Sequence, residues 1–337
     1  MAPASPLTGF PTVRPRRLRR TAALRDLVAE TELGVSDLVA PLFVREAIDE
    51  PRPIESLPGV VQHTRDSLRA EVEQLATLGV RSVILFGVPV EKDPLGSGAY
   101  DPDGIVQVAL RDLAADVGDS VVLMADLCVD EYTSHGHCGV LDERGSVDND
   151  ATLALYARAA VAQAEAGAHV VAPSGMMDGQ VGAIRTALDG AGFDEIAILA
   201  YSAKYASGLY GPFRDAVGVE IAGGGDRKGY QQDWRNRREA VVEVLADLEQ
   251  GADMVMIKPA VTYLDVIATI RELVDVPVAA YHVSGEYAMI RAAAANGWID
   301  GDVVALEQLT AIKRAGAGTI LTYFTRWFAE RVAEATR

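Results

Sequence analysis

The chain has 337 residues, of which 49% are hydrophobic and 23% charged, enough for one large α/β barrel or two ordinary domains. Its formal net charge of −17 disfavours nucleic acids and anionic membranes, and no uninterrupted apolar stretch reaches the ~18–20 residues of a membrane span. We therefore expect neither a nucleic acid nor a membrane as a partner. A small-molecule enzyme or a protein-binding surface fits this composition better.

The cysteine content and the N-terminus bear on the compartment. Cys128 and Cys138 are too few for a disulfide scaffold, and the N-terminal residues contain no apolar signal core. These features predict a cytoplasmic protein whose cysteines are metal ligands or free thiols. One labile disulfide across the short loop between them is the alternative.

A dense basic run, VRPRRLRR, occupies residues 13–20 of this acidic chain. Such a run is typical of a nucleic-acid-binding arm or an Arg-rich transit peptide, but also of an extended arm lying on an acidic neighbouring subunit. The acidity of the rest of the chain favours the last interpretation. We expect residues 1–34 to form an N-terminal arm with oligomer contacts and residues 35–337 to form the catalytic domain.

Short apolar runs alternate with longer amphipathic segments from residue 37 onwards. Runs that are apolar throughout are typical of parallel strands, which are buried on both faces. The predicted strands are residues 37–44, 82–87, 121–127, 169–174, 196–203, 253–257, 276–283 and 318–324.

The segments between these runs have helical spacing of apolar residues. Predicted helices cover residues 67–78, 150–166, 235–250 and 263–274, and glycines such as Gly167 and Gly251 follow them as helix C-caps do. Eight strands with intervening helices predict a (β/α)8 TIM barrel. A doubly wound open sheet is the alternative, although no Gly-x-Gly-x-x-Gly follows the first strand.

Catalytic groups of such barrels gather at the carboxyl ends of the strands. The predicted strand ends carry a reactive set: Asp126, Cys128, Ser174, Lys204, Lys258, Ser284 and Tyr323. The two lysines stand out, because each terminates an apolar run where its ammonium is poorly solvated. Desolvation and mutual repulsion favour free amines, the form that attacks a ketone to give a Schiff base. Lysines that cap strands and point into water are the alternative.

The loop after the third strand contains two thiols, three carboxylates and two imidazoles between residues 126 and 138. Cys128, Asp130 and Cys138 could place two sulfurs and one oxygen around a metal and leave a position open for water or substrate. That ligand set is typical of catalytic zinc, since magnesium avoids thiolates. A polar loop with two inert thiols is the alternative.

Carboxylate-binding groups follow other strands. Arg214 and Arg227 lie in glycine-containing segments after the Lys204 strand and could clamp a carboxylate, although a solvated loop has the same spacing. The hydroxyls of Ser284 and Tyr323 could hold a second carboxylate, and Tyr323 could equally be a core residue.

Several long motifs occur in an order that resembles one known family, from residue 14 to residue 323. They are RPRRLRR (14–20), TSHGHCG (133–139), AYSAKYAS (200–207), YGPFR (210–214), MVMIKP (254–259) and YHVSGE (281–286). The chain closely resembles the porphobilinogen synthase (5-aminolevulinate dehydratase) family.

The resemblance implies a lyase that condenses two 5-aminolevulinate molecules to porphobilinogen with loss of two waters, in tetrapyrrole (haem) synthesis. By this resemblance, Lys204 holds the first substrate and Lys258 the second. The family's carboxylate contacts fall on Arg214, Arg227 and Gln231 for the second substrate and on Ser284 and Tyr323 for the first.

The resemblance also gives Asp126 and Ser174 places near the substrate amine and the deprotonation step. It implies an arm that embraces a neighbouring subunit, usually in an octamer, with a hexamer as the alternative. Glu243 matches a glutamate that binds an activating, allosteric magnesium at a subunit interface in many bacterial members.

The chain departs from the family pattern in two places. Zinc-type members have three cysteines in the loop, whereas this chain has Cys128, Asp130 and Cys138, so we expect weaker zinc binding there. Gly175 and Gln180 stand where the family usually has Asp and Arg. The alternative function is that of a Schiff-base aldolase with a single catalytic lysine on the same barrel.

Overall fold

The computed structural model describes residues 13–222 and 225–335, so the first twelve residues of the predicted arm lie outside the described residues. Within these ranges, eight parallel strands close into a barrel through pairing of the last strand with the first. The predicted (β/α)8 architecture is confirmed. The barrel strands are β1 (Leu38–Arg45), β4 (Ser82–Val88), β5 (Val122–Leu127), β6 (Val170–Pro173), β7 (Ala197–Lys204), β8 (Met254–Lys258), β9 (Val278–His282) and β10 (Thr319–Thr322), and each overlaps a predicted run.

The four predicted helices are confirmed, with ends that differ by one or two residues. The α-helices of the described residues are α1 (Ala22–Leu27), α2 (Arg65–Thr77), α3 (Ile105–Val117), α4 (Asn149–Glu165), α5 (Gln180–Gly190), α6 (Gly211–Val217), α7 (Arg237–Glu249), α8 (Leu264–Leu273), α9 (Ser284–Ala295), α10 (Gly301–Ala315) and α11 (Thr325–Ala335). In these same ranges, no helix has the length and apolar composition required to cross a bilayer.

The barrel strands are apolar throughout because both faces are buried. On β1, Phe43 packs inward against Phe86 with ring centroids 5.5 Å apart, while Ala40 and Leu42 belong to an outer cluster that includes Leu68 of α2. An inner core and an outer layer under the helices therefore both require apolar residues along each strand.

Two features lie outside the barrel itself. A short antiparallel pair, β2 (Arg52–Pro53) and β3 (Val61–His63), extends the sheet beside β1. Strands of two and three residues give no periodic signal, so the sequence does not predict them. Residues 13–34 have no buried side chains, which is consistent with an arm that packs on another subunit, and that role stays a prediction.

An extra residue in β7 determines how the strand ends align. Ala200 pairs with Val255, but Ala203 pairs with Ile257, so three steps along β7 match two steps along β8. This bulge brings Lys204 directly opposite Lys258.

Gly285, in the first turn of α9, allows a close approach between two segments. A Cβ at this position would lie 2.5 Å from the carbonyl oxygen of Leu209 and 2.7 Å from its Cα. Both contacts are with backbone, which a rotamer change cannot relieve.

We expect Gly285→Ala to lower the free energy of unfolding by about 1–3 kcal/mol through this overlap. Gly190→Ala in α5 is the matched control, since a Cβ there meets nothing within 4 Å and should stabilise the chain by about 0.4–1 kcal/mol. Urea denaturation of both variants measures the difference, and equal midpoints would contradict the predicted clash.

Candidate active site

Lys204 and Lys258 end neighbouring strands and face one cavity. They are paired Cα partners of β7 and β8, and each residue is only 5% exposed. The ring of Tyr201 is close to both amines, with its centroid 5.7 Å from Nζ of Lys204 and 5.0 Å from Nζ of Lys258. The two amines are therefore close enough to act on ligands held in the same space.

Aromatic rings surround the amine of Lys258. Its Nζ lies 4.4 Å from the ring centroid of Tyr281, 5.2 Å from that of Phe213 and 5.3 Å from that of Tyr210. Burial, followed by repulsion from Lys204, lowers the pKa of Lys258 to about 7. A large fraction of this lysine is consequently an uncharged amine at neutral pH.

Lys204 has a polar environment instead. Its Nζ donates a hydrogen bond to the carbonyl oxygen of Ser174 at 2.5 Å, and Oγ of Ser174 donates to Oδ2 of Asp126 at 3.1 Å. Burial raises the pKa of Asp126 to about 6, although the cations of Lys258 and Lys204 oppose the shift. Asp126 can therefore both hold and accept a proton near neutral pH.

The cavity between the lysines is small and strongly charged. Its volume is about 20 Å³, so lining side chains must move aside for any ligand larger than water. The described residues that line it are Phe86, Asp126, Asp130, Glu131, Ser174, Lys204, Tyr210, Phe213, Arg214, Arg227 and Lys258.

A buried ion pair joins the cavity to the predicted metal-binding loop. Arg227 donates to Oδ2 of Asp130 and to the carbonyl oxygen of Gly136, both at 2.7 Å. Against the effect of burial, Arg227 and Lys204 hold the pKa of Asp130 well below its usual range. Asp130 is thus an anion that already carries one cationic partner.

Several buried donors remain available near this pair. Nε of Arg214, Nε of Arg227 and Nε2 of Gln231 have no hydrogen-bond partner among the described residues. Gln231 is next to Arg227, since its backbone N–H donates to the carbonyl oxygen of Arg227 at 2.9 Å. Gln231 itself lines a larger adjoining cavity.

The hydroxyls of Ser284 and Tyr323 are predicted to hold a carboxylate. Neither residue is among the described residues that line the lysine cavity, and both hydroxyls already have partners. Oγ of Ser284 accepts from the N–H of Phe213 at 3.0 Å and donates to the carbonyl oxygen of Leu209 at 3.3 Å. The hydroxyl of Tyr323 is 3.2 Å from that of Tyr281, and its ring stacks on that of Phe43 at 6.1 Å.

Helix α6, which carries Phe213 and Arg214, is held at both ends by side chains. Ser284 holds its start, as described above. At its end, Nζ of Lys92 donates to the carbonyl oxygen of Gly218 at 2.8 Å, and Nε2 of Gln62 donates to that of Ala216 at 2.6 Å. The position of Arg214 at the wall of the lysine cavity therefore depends on three other segments.

The predicted metal ligands do come together. One ligand atom each from Cys128, Asp130 and Cys138 lies within 4.8 Å of the others, and all three residues are buried. Burial raises the pKa of the Cys128 thiol. Burial acts on Cys138 too, but hydrogen bonding with Cys128 and the cation of Arg227 outweigh it and lower the pKa of Cys138. Two sulfurs and one oxygen fit zinc better than magnesium.

The chain is similar to known proteins of one family. A family model described as delta-aminolevulinic acid dehydratase matches residues 12–331. The protein of that name from Mycobacterium tuberculosis is 61% identical over 320 residues, which cover 94% of this chain and 97% of the relative. That from Streptomyces coelicolor is 60% identical over 317 residues, covering 94% and 96%. The chain belongs to the delta-aminolevulinic acid dehydratase family.

A solved structure of the family agrees with the fold. Delta-aminolevulinic acid dehydratase (porphobilinogen synthase) from Toxoplasma gondii, in complex with the reaction product porphobilinogen, matches with a TM-score of 0.92 at 44% identity. The match covers 94% of this chain and 91% of that one. The family resemblance predicted from the motifs is therefore confirmed.

Glu243, the residue predicted to bind an allosteric ion in this family, lies on α7, outside the lysine cavity. It lines a cavity of about 700 Å³ together with Asp178 and Glu239. Burial, and then repulsion from Asp247, Asp178 and Glu239, raises the pKa of Glu243 to about 7. A cation in this cavity would relieve that repulsion.

Gln180, one of the two departures from the usual family pattern, has a local structural role. It is 2% exposed, and its Oε1 accepts the N–H of Met177 at 3.1 Å, which closes the turn before α5. Gly175, the other departure, lies against Tyr156 of α4.

Sequence reasoning does not identify two residues of this family site. Glu131 lines the cavity, and burial together with the charges of Asp130 and Asp126 raises its pKa well above the usual range, which favours its protonated form. The sequence shows Glu131 as a third carboxylate of the loop but not that it faces the lysines. Tyr201 looks like one more core residue of β7 in the sequence, and only the structure shows its ring beside both amines.

Proposed function

We propose that this protein condenses two molecules of 5-aminolevulinate to porphobilinogen with loss of two waters, through Schiff bases on Lys204 and Lys258. The observation that carries the proposal is the direct pairing of these two residues across β7 and β8, with both amines in one cavity. Two covalently held keto acids react as a near-unimolecular pair, which removes most of the entropic barrier to condensation.

Lys258 begins its reaction as a free amine. Its nitrogen attacks the keto carbon of the second substrate, a carbinolamine forms, and loss of water gives the Schiff base. The surrounding rings of Tyr281, Phe213 and Tyr210 support this role by burying the nitrogen, since the loss of water disfavours the ammonium form more than contact with the ring faces favours it. Protonated Schiff bases then make the adjacent carbon acidic and the former carbonyl carbon electrophilic.

Lys204 holds the first substrate in this proposal, and Asp126 and Ser174 handle protons near it. The hydrogen-bonded series from Lys204 through Ser174 to Asp126 supports the assignment. A carboxyl with a pKa of about 6 is suited to accept a proton from a substrate carbon or amine and release it later.

Arg214, Arg227 and Gln231 bind the carboxylate of the second substrate in this proposal. Their unpartnered buried donors support the role, since buried N–H groups in native proteins rarely lack an acceptor. Ser284 and Tyr323 are proposed for the carboxylate of the first substrate on the family match. Their present hydroxyl contacts, to α6 and to Tyr281, would have to be shared with that ligand.

Cys128, Asp130 and Cys138 would hold a zinc ion in this proposal. When bound, the metal would polarise the second substrate or its leaving hydroxyl. The pair formed by Arg227 and Asp130 keeps that carboxyl ionised and oriented, and so ready to act as a ligand.

The covalent roles of the lysines can be tested by trapping. After treatment with 5-aminolevulinate and borohydride, we expect mass mapping to find adducts on both Lys204 and Lys258. Without borohydride, the enzyme should convert 5-aminolevulinate to a pyrrole that gives a colour with an aldehyde reagent. Lys258→Ala should lower pyrrole formation by roughly 10⁴-fold and leave the adduct on Lys204.

Lys313 provides the matched control, because this half-buried lysine pairs with Asp37 before β1. It should not be labelled in the wild-type chain, and Lys313→Ala should leave pyrrole formation unchanged. Labelling of a single lysine without a pyrrole product would instead favour the aldolase. Labelling of neither would rule out both functions.

The low pKa of Lys258 predicts a pH dependence. A lysine with a pKa of about 7 is mostly amine above pH 8, and its amine fraction falls about tenfold for each pH unit below 6. The initial rate of cyanoborohydride trapping at Lys258, followed by mass mapping, should therefore have an acidic limb near pH 7. A limb near pH 10, typical of a solvated lysine, would contradict this environment.

Magnesium and assembly form a second part of the proposal. Glu243, with Asp178 and Glu239, would bind an activating magnesium at a subunit interface, and residues 1–34 would embrace a neighbour in a homo-oligomer, an octamer or alternatively a hexamer. The repulsion that raises the pKa of Glu243 supports a cation there. The exposed arginines of the arm support contact with an acidic neighbour.

We expect magnesium to raise wild-type activity about fivefold or more and to shift sedimentation towards the larger assembly, because it binds the assembled form better. Glu243→Gln should abolish both responses and leave metal-free activity unchanged. Glu249→Gln, at the exposed end of the same helix, should respond as the wild type does. A full magnesium response in Glu243→Gln would exclude this residue as a ligand.

A further inference from the structure

Tyr156 contacts two of the three proposed metal-binding residues. It lies on α4, is completely buried, and belongs to neither the lysine cavity nor any predicted site. Its hydroxyl donates to the carbonyl oxygen of Cys138 at 2.9 Å, and the hydroxyl oxygen lies 3.3 Å from Sγ of Cys128, the second atom within hydrogen-bond reach. One hydroxyl thus contacts both cysteines of the Cys128, Asp130 and Cys138 group.

Gly175 provides the space for this hydroxyl. A Cβ at position 175 would overlap the hydroxyl oxygen of Tyr156 and lie 2.5 Å from its Cζ. Real Cβ contacts are essentially never shorter than 3.0 Å, so Tyr156 and a side chain at 175 exclude each other in this arrangement. The departure at Gly175 therefore has a steric explanation that also involves the metal-binding loop.

We propose that Tyr156 is a positioning residue of the Cys128, Asp130 and Cys138 site, and that Gly175 is required so that the tyrosine hydroxyl can hold both cysteines in place for a metal ion. The proposal rests on the zinc site of the proposed function and concerns its support rather than its existence.

The small number of soft ligands explains why support from Tyr156 would matter for metal affinity. Two thiolates and one carboxylate provide fewer soft ligands than three thiolates, so the energy lost in arranging them weighs more heavily on affinity. Hydrogen bonds to ligands and to the backbone that carries them fix their orientation before the metal arrives, and losing such a partner costs about 10- to 100-fold in affinity. The hydroxyl of Tyr156 contacts a ligand atom at Cys128 and the backbone at Cys138, so it can fix both.

The test compares Tyr156→Phe with wild type in full-length protein. Zinc affinity is measured by competition with a chromogenic chelator, and cobalt is added separately to record thiolate-to-metal absorption. We expect about 10- to 100-fold weaker zinc binding and a shifted cobalt spectrum in the variant. The spectrum reports on the sulfur ligands directly and does not depend on catalysis.

Tyr287→Phe is the matched control. Tyr287 is also a buried tyrosine whose hydroxyl donates to one backbone carbonyl, that of Pro58 at 2.6 Å, but it lies on α9. It should lose similar thermal stability and keep wild-type zinc affinity and cobalt absorption. This comparison separates a role in positioning the ligands from general loosening of the fold.

Gly175→Ala tests the steric half of the proposal. We expect it to weaken zinc binding in the wild-type background, and to weaken it less when Tyr156→Leu is already present, because the hydroxyl oxygen and Cζ that the added Cβ would overlap are both gone. Additive effects of the two substitutions would refute the coupling.

Two outcomes would overturn the proposal. Unchanged zinc affinity and cobalt absorption in Tyr156→Phe would show that the hydroxyl does not support the ligands. Failure of the wild-type chain to bind zinc or cobalt would remove the site itself. Pyrrole formation by that same metal-free wild type would show that the proposed reaction survives without the site.

Discussion

The register between β7 and β8 is the constraint on which the rest of the site depends. One extra residue in β7 places Lys204 opposite Lys258, and without it the partner would be the following proline. Two neighbouring buried amines cannot both be protonated without a large free-energy cost, because each ammonium is desolvated and repels the other. The site resolves the conflict by giving them different surroundings: a backbone carbonyl accepts from Lys204, while aromatic rings enclose Lys258. The side chains themselves are identical, so any difference in their reactivity comes from this difference in surroundings.

The remaining charges of the cavity extend this arrangement outward. Asp126 compensates the lysines on one side, and Asp130 is held by Arg227 on the other. Because Arg227 also has an unpartnered Nε, the same side chain contacts the loop with the cysteines and faces the proposed carboxylate position. Breaking a buried pair of this kind by removing one partner is far more costly than removing both, so the loop and the substrate-binding side are tied to each other energetically. Tyr156 adds a neutral contact to the same loop from the opposite side.

The fold was predictable because parallel barrel strands are apolar along their whole length, and all eight runs stand out against polar flanks. The lysines were predictable for a related reason, since each is the first charged residue after such a run. The β7 bulge was not, because Ala200, Ser202 and Ala203 look like any strand residues. Tyr156 was also hidden, since a buried tyrosine on a helix looks like ordinary core. Gly175 was visible as a departure, but its reason lies in contact with a residue nineteen positions earlier, which spacing alone does not reveal. The resemblance supplied Ser284 and Tyr323 without showing that their hydroxyls already have partners.

Helix α6 links two requirements of the chemistry. Phe213 on this helix helps to exclude water from Lys258, and Arg214, the next residue, is half-buried and has a buried Nε available as a donor. A helix of seven residues is too short to be stable alone, so its position comes from Ser284, Gln62 and Lys92, which bond to its two ends. Any movement that admits a ligand into the 20 Å³ cavity and involves this helix must therefore displace Phe213 and Arg214 together. When the helix packs back into place, Phe213 again covers the amine of Lys258 and Arg214 again lines the cavity. The exclusion of water from Lys258 is therefore coupled to the return of the Arg214 cation.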